Sequence, residues 1–408
     1  MPSTEVHAEV PVFDSAFVQD LHARYAEIRD ATPVQRMVTP SGLPVWVITR
    51  YADARAALAD PRLSKESARI REVITANLPP GADHRMFGNE LSAHMLNMDP
   101  PDHTRLRKLV VKAFTSRRVE ALRPRVEEIT DRLLDEMAGQ SEVDLLDSFA
   151  FPLPIQVISE LVGVDESRRD DFRAWTNTLL DASDRGAAED AAMAMGQYLT
   201  ELIELKRREP GDDLLTALVD ATDNEDRLSD GELIAMVFLL LVAGHETTVN
   251  LIGNGVLHLL RHPDQWAALR EDPDLVAGAV EEMLRFDGPV MHGTFRFTAE
   301  AVPVGDVEIP AGQIVWVGLA AANRDPEQFP DSERFDITRD AHGHLAFGHG
   351  IHFCLGAQLA RLEGQTALRK LVERFPDLSP AGPLDGAEWR FSTLIHGLRA
   401  LPVHPGGR

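Results

Sequence analysis

Phe347-Gly-His-Gly-Ile-His-Phe-Cys-Leu-Gly356 decides how the rest of the chain is read, because it holds the only cysteine among 408 residues. A lone cysteine by itself reads as a small buried hydrophobe. Its neighbours here are specific. Gly348 and Gly350 permit positive φ and close backbone approach, as in a tight bulged turn. Leu355, Leu359, Leu362, Leu368 and Leu371 recur at helical spacing and predict an amphipathic helix beginning just past Cys354. The thiol is then presented at a helix N-terminus, where the dipole and free amides favour a thiolate. Gly356 removes a side chain where a flat group would lie against that helix. His342, His344, His349, His352 and Cys354 also offer five metal ligands within thirteen residues, a set that zinc accepts. No CxxC or HxxxH spacing accompanies them, and the glycines fit a planar cofactor better.

Composition narrows the class. At about 150 residues per domain the length allows nearly three domains or one unusually large one. Apolar residues make up 44% and charged residues 26%, ordinary for a globular protein with a sizeable core. A net charge of −24 argues against nucleic acid or an anionic membrane as partner. One cysteine cannot close an internal disulfide, which excludes a stapled secreted fold. The N-terminal MPSTEVHAEVPVFDS carries acids and prolines where a signal peptide needs a basic start and an apolar run. The longest apolar run, Ile234 to Gly244, is far short of the roughly 20 residues that span a bilayer. The expectation is a soluble cytoplasmic protein.

Strand signals are few: LPVWVITR at 43–50 within a β-rich part near 33–50, the region 296–318 with a turn at Ile309-Pro-Ala-Gly312, and a third near 386–402. Most of the rest reads as capped helices. Ser229-Asp-Gly-Glu232 has capping-box spacing and opens a run without proline until Pro263. From about Leu233 to Leu260 that run is apolar on nearly every face, which predicts a long helix buried at the centre. A second helix begins near Asp272-Pro273 and stops at Asp287-Gly288-Pro289. The expectation is one mainly α domain over 1–408 with small β-sheets.

Within the central helix lies Ala243-Gly-His-Glu-Thr-Thr248, and polar residues there cost free energy unless satisfied. The plain reading is that the threonines bond back to carbonyls four residues earlier and bend the helix. Glu282-Met-Leu-Arg285 sets an acid and a base on one helix face, a pairing common on solvated surfaces. These segments and the cysteine turn belong together in one family. FGHGIHFCLG resembles the haem-binding signature FGxGxHxCxG of cytochrome P-450 monooxygenases, whose six fixed positions match by chance at about 10⁻⁸ per window.

The resemblance covers essentially the whole chain and implies the P-450 fold, with a long central helix over haem b. It implies Cys354 thiolate as the axial iron ligand, with Phe347, Gly348 and Gly356 shaping the loop. His103, Arg107, Arg296 and His352 are implied as partners of the haem propionates, and Ala243 and Gly244 as the helix surface facing dioxygen, Gly244 leaving it room. Glu246 and Thr247 match the acid–alcohol pair that delivers protons, beside a carbonyl left free for water. Glu282, Arg285 and Arg334 match a buried structural triad that holds the cysteine loop. Implied pocket walls are the loop before His94, then Phe238, Val242, Val290 and Leu394, with His292 and Thr294 as polar anchors.

The implied function is insertion of one oxygen atom from O2 by hydroxylation, or by epoxidation where an alkene is presented. Within the family the chain resembles actinobacterial members that oxidise macrolides, other polyketides and sterol-like molecules in secondary metabolism, which points to a small, bulky lipophilic substrate. Electrons are expected from a ferredoxin, served by a ferredoxin reductase and NAD(P)H. Arg105, Arg107, Lys108, Lys112, Arg117 and Arg118, with no acid between His103 and Arg118, mark its docking helix on an acidic chain. Two alternatives are a haem-thiolate peroxygenase using hydrogen peroxide and a non-catalytic haem sensor. The first lacks the acid–alcohol pair in related enzymes, and the second needs an output segment for which the chain has no spare length.

Overall fold

The computed structural model describes residues 10–80, 89–180, 185–223 and 226–406. Five helices position the site: α1 (Asp102–Ala113), α2 (Pro152–Val162), α3 (Asp230–Arg261), α4 (Val276–Asp287) and α5 (Ala357–Arg374). The capping box forms as expected: the Glu232 amide donates to Ser229 Oγ and the Ser229 amide to Glu232 Oε2 at 2.9 Å. It satisfies donors that the first helical turn leaves orphaned. The helix then runs 32 residues before His262-Pro263 ends it.

Helix α3 packs against α2, α4 and α5. Its glycines set how closely they approach: a Cβ on Gly255 would lie 1.7 Å from Met283 Cε on α4. Among the described residues it is the one helix long and apolar enough to cross a membrane, and most of its apolar window is buried against these neighbours.

A five-stranded sheet flanks the helices in the order β1-β2-β5-β4-β3, with β1 Val34–Val38, β2 Pro44–Ile48, β3 Leu63–Ser64, β4 Arg296–Thr298 and β5 Ile314–Val317. Strand β5 runs parallel to β2 (Val315 opposite Trp46) and antiparallel to β4, while β3 pairs antiparallel with β4. This places Lys65, just past β3, beside Arg296, which opens β4. The third β-rich expectation is only partly met. Within 386–402 the chain makes isolated bridges, Val290–Ile395 and Trp389–Leu398, and the strand proper is Pro402–His404. A loop built around Gly397, whose Cβ would strike Asn250 of α3, suits bridges better than a continuous strand.

Candidate active site

The cysteine turn is shaped by two glycines. Gly348 and Gly350 have φ of 70° and 74°, and a Cβ on Gly350 would lie 3.1 Å from the Leu58 carbonyl oxygen. The Cys354 amide donates to the Phe347 carbonyl at 2.9 Å and closes the loop. Arg107 of α1 donates to the Phe353 carbonyl at 2.8 Å. Helix α5 then starts at Ala357. Gly356 itself has φ −80°, so its role is space: a Cβ there would meet only Cys354 Sγ, at 3.9 Å. Cys354 is exposed, although the surrounding loop crowds its thiol. Burial pushes its thiol above the ordinary value, and the Gly356 and Ala357 amides, Arg107 and Arg361 act in the opposite direction. Burial outweighs the helix end, contrary to the expectation from the dipole alone.

One buried cluster gathers the expected propionate partners. His103 and His352 lie 4.4 Å apart between ring centroids, and neither ring nitrogen of the buried His103 finds a well-placed partner. Arg296 is buried with its Nε unpaired, and burial lowers its pKa to about 10 with Asp99 opposing. Burial also lowers His352, followed by the fields of Lys65, Arg296, His103 and Arg107. So many buried donors without acceptors fit the carboxylates of haem. Iron-bound haem is the group these residues are suited to hold, with Cys354 below.

Across α3, Leu239, Leu240, Val242, Gly244 and Thr247 are half-buried and Ala243 is exposed, midway along a helix otherwise buried. That accessible stripe includes Ala243, Gly244 and Thr247, the residues the resemblance implies on the oxygen-binding side. Thr247 Oγ1 donates to the Ala243 carbonyl at 2.8 Å, so this carbonyl is taken by the helix's own threonine and is not left free for water. Gly244 also differs from expectation: its missing Cβ faces Ile158 Cδ1 and Cγ1 at 3.0 Å, so it serves the approach of α2 rather than room for dioxygen. Glu246 is buried, with Oε1 held by Arg390 at 2.5 Å and Oε2 unpaired. Asn250 donates to the Glu246 carbonyl at 2.7 Å and also accepts from Arg390.

Behind the cysteine loop, Arg285 forks onto Glu282 at 2.7 and 2.8 Å and donates to the carbonyls of Asn323 and Ser332. The third cation is Arg339, not Arg334. Arg339 Nε lies 3.4 Å from Glu282 Oε1, and its side chain is 13% exposed. Arg334 is 67% exposed and reaches only Asp336 at 3.7 Å, contributing its backbone carbonyl to Arg285 instead. Asp336 is the reason, since its amide donates to Glu282 at 2.9 Å and the chain then turns Arg339 inward. Neighbouring Glu281 binds Arg361 of α5 at 2.6 and 2.8 Å and His344 of the loop at 3.1 Å.

The proposed pocket is corrected at two positions. His292 is buried beneath it, bonded to the Thr393 carbonyl and the Tyr25 hydroxyl and stacked on Trp316, so it has no nitrogen for a ligand. The Thr294 hydroxyl is taken by Lys65. Phe238 is nearly buried, while Val242, Val290 and Leu394 are half-buried. Part of the loop before His94, residues 81–88, lies outside the described residues. Lys65, Arg339, Glu281 and Arg390 escaped the sequence reading. None sits in a recognisable motif.

The family model described as Cytochrome P450 matches residues 150–382. Cytochrome P450 107B1 of Saccharopolyspora erythraea is 64% identical over 98% of this chain and 99% of its own length. Vitamin D(3) 25-hydroxylase of Pseudonocardia autotrophica is 51% identical over 99% of this chain and 98% of its own. Among solved structures, the tirandamycin C-bound P450 monooxygenase TamI superposes with a TM-score of 0.90 at 50% identity, covering 97% of this chain and 100% of that one.

Proposed function

The chain belongs to the cytochrome P450 family and is a haem-thiolate monooxygenase, and from that premise we propose that it oxidises a bulky lipophilic molecule of macrolide, polyketide or sterol-like type. Haem supplies reductive activation of O2 and insertion of one oxygen atom into the substrate. The one cysteine of the chain, Cys354, is its thiolate ligand. The observation that carries the substrate class is the accessible, mainly apolar stripe of α3 from Leu239 to Ala243.

In this reading Thr247 and Glu246 move protons to the oxygen-binding side. The Thr247 hydroxyl is anchored by donating to Ala243 and keeps its lone pairs for a donor from the cavity. Glu246 sits one residue before it, with a free Oε2 buried toward the helix and Oε1 clamped by Arg390, whose side chain is 37% exposed. Arg390 thereby links the buried carboxylate to solvent. Electrons arrive from a ferredoxin and its NAD(P)H-dependent reductase at the end of α1. Of the six cations there, Arg105 pairs with Asp226 and Glu232, Arg107 turns inward to the Phe353 carbonyl and Arg118 pairs with Asp212. Lys108, Lys112 and Arg117 are exposed and form the docking set.

A library of macrolides, other polyketides and sterols, screened for the spectral shift that follows water displacement from ferric haem, tests the substrate class. Hits confined to small polar compounds would overturn it. Product formed with a ferredoxin system and absent with peroxide alone separates the monooxygenase from a peroxygenase.

A further inference from the structure

We infer that Lys65 is a direct partner of a haem propionate, a fifth side chain in that set alongside His103, Arg107, Arg296 and His352. Lys65 follows β3 and is 2% exposed, rare for a lysine without a paired charge. Its ammonium carries three donors, and among the described residues it has one hydrogen-bond acceptor, the neutral Thr294 hydroxyl. The nearest acid is otherwise engaged. The Asp99 carboxylate accepts from the Lys65 backbone amide at 3.1 and 3.2 Å and from Ser64 Oγ at 2.5 Å. The lysine head is therefore aimed away from the one carboxylate that holds its backbone. Burial works against an ammonium with two idle donors unless an anion meets it.

Charge balance identifies that anion. Lys65, Arg107 and Arg296 bring three cationic side chains to this cluster and Asp99 one carboxylate, beside the imidazoles of His103 and His352. The surplus is two positive charges. Haem brings two carboxylates to the same place, and without Lys65 the cluster would be short by one. Strands β3 and β4 pair with Ser64 opposite Phe297, which sets Lys65 beside Arg296 in this cluster. A carboxylate on the substrate is the other source of the same chemistry, reached through Thr294 on the pocket wall. The count of two favours the propionates.

The test is the rate of haem transfer from the holoenzyme to excess apomyoglobin, for protein loaded with native haem and with its dimethyl ester. Lys65→Met should speed loss of native haem about tenfold or more, the scale of one buried charge-assisted hydrogen bond. Loss of the ester should change less than about twofold, which also shows that the variant is folded. Lys65→Arg should stay close to wild type. Equal acceleration for both haems would mean that Lys65 merely packs, and the inference fails. It fails equally if native haem is retained as in wild type and only an anionic substrate binds more weakly.

Discussion

Replacing Arg339 and Arg334 separately by alanine distinguishes two ways of building the knot behind the cysteine. Arg339 is 13% exposed and contacts Glu282, whose own side chain is fully buried, at 3.4 Å. It also donates to the Pro330 carbonyl at 2.5 Å and the Asp331 carbonyl at 3.0 Å. Removing one partner of a buried ion pair costs about 3–5 kcal/mol when the other charge is left alone. Glu282 keeps Arg285 on both oxygens and the Asp336 amide, so the cost of Arg339→Ala should be lower, about 2–3 kcal/mol. Arg334 has a 67% exposed side chain 3.7 Å from its acid, and the part Arg285 uses is its carbonyl, which alanine retains. Arg334→Ala should therefore cost no more than about 0.5 kcal/mol. The assay is thermal or urea unfolding of the holoenzyme followed by the thiolate Soret band under carbon monoxide. For a chain this long, 1 kcal/mol is worth about 1 °C, so Arg339→Ala should lose the band about 2–4 °C earlier and Arg334→Ala within about 1 °C of wild type. Arg334→Ala as costly as Arg339→Ala would refute the reasoning.

Three further outcomes are expected. Burial opposes ionisation of Glu281, but hydrogen bonds from Arg361 and His344 outweigh it and hold its pKa down to about 2, below the ordinary glutamate value of 4.5. A depressed carboxylate stabilises the fold above its unfolded pKa and loses that contribution as pH falls through the folded one, so Glu281→Gln should flatten the acid-stability curve between about pH 4.5 and 2, read by circular dichroism. Thr247→Ala should keep consuming NAD(P)H while releasing peroxide, and Arg390→Leu should lower product per NAD(P)H with the carbon monoxide spectrum unchanged; full product yield in both would remove the proton role. Reversing Lys112 and Arg117 together to Glu should slow reduction by ferredoxin in stopped flow and flatten its salt dependence while leaving substrate affinity unchanged.

What the sequence made legible was local. A capping box, an all-round apolar run and two glycines before a cysteine are each settled within one turn or one helix, and α3 and the cysteine loop form where the residues predict them. What it hid depends on distance along the chain. Lys65 meets Thr294 229 residues later, and Glu246 meets Arg390 144 residues later, through loops whose paths no short pattern encodes. The Arg334 error has a different origin. The residue at that position does contribute, but through its backbone carbonyl, which every amino acid carries, while the charged head comes from a residue five further on. Gly244 was misread for a related reason: a glycine reports that something comes close, not what, and here it is Ile158.

The polar residues of α3 divide into two groups with different physical roles. Asn250, Asn254 and His258 face the C-terminal loop and the end of α4. Asn254 donates to the Asp287 and His396 carbonyls at 3.2 and 3.0 Å, and His258 binds the Asp287 carboxylate at 2.7 Å. His22, from the N-terminal region, binds that carboxylate at 2.7 Å and His396 lies 3.2 Å from it, so Asp287 joins four distant parts of the chain. Burial alone would raise the Asp287 pKa, yet His396, His22 and His258 together hold it well below the ordinary range. This half of the helix spends its polar groups on fixing the fold. Glu246 and Thr247, about one turn before Asn250, are held on one side only: Oε1 by Arg390, the threonine hydroxyl by the Ala243 carbonyl, with Glu246 Oε2 left without a partner. A buried carboxylate oxygen that the fold leaves unsatisfied is costly, and it sits beside the accessible middle stretch of the helix. That contrast along a single helix, rather than the motif alone, supports the proton role proposed for Glu246 and Thr247.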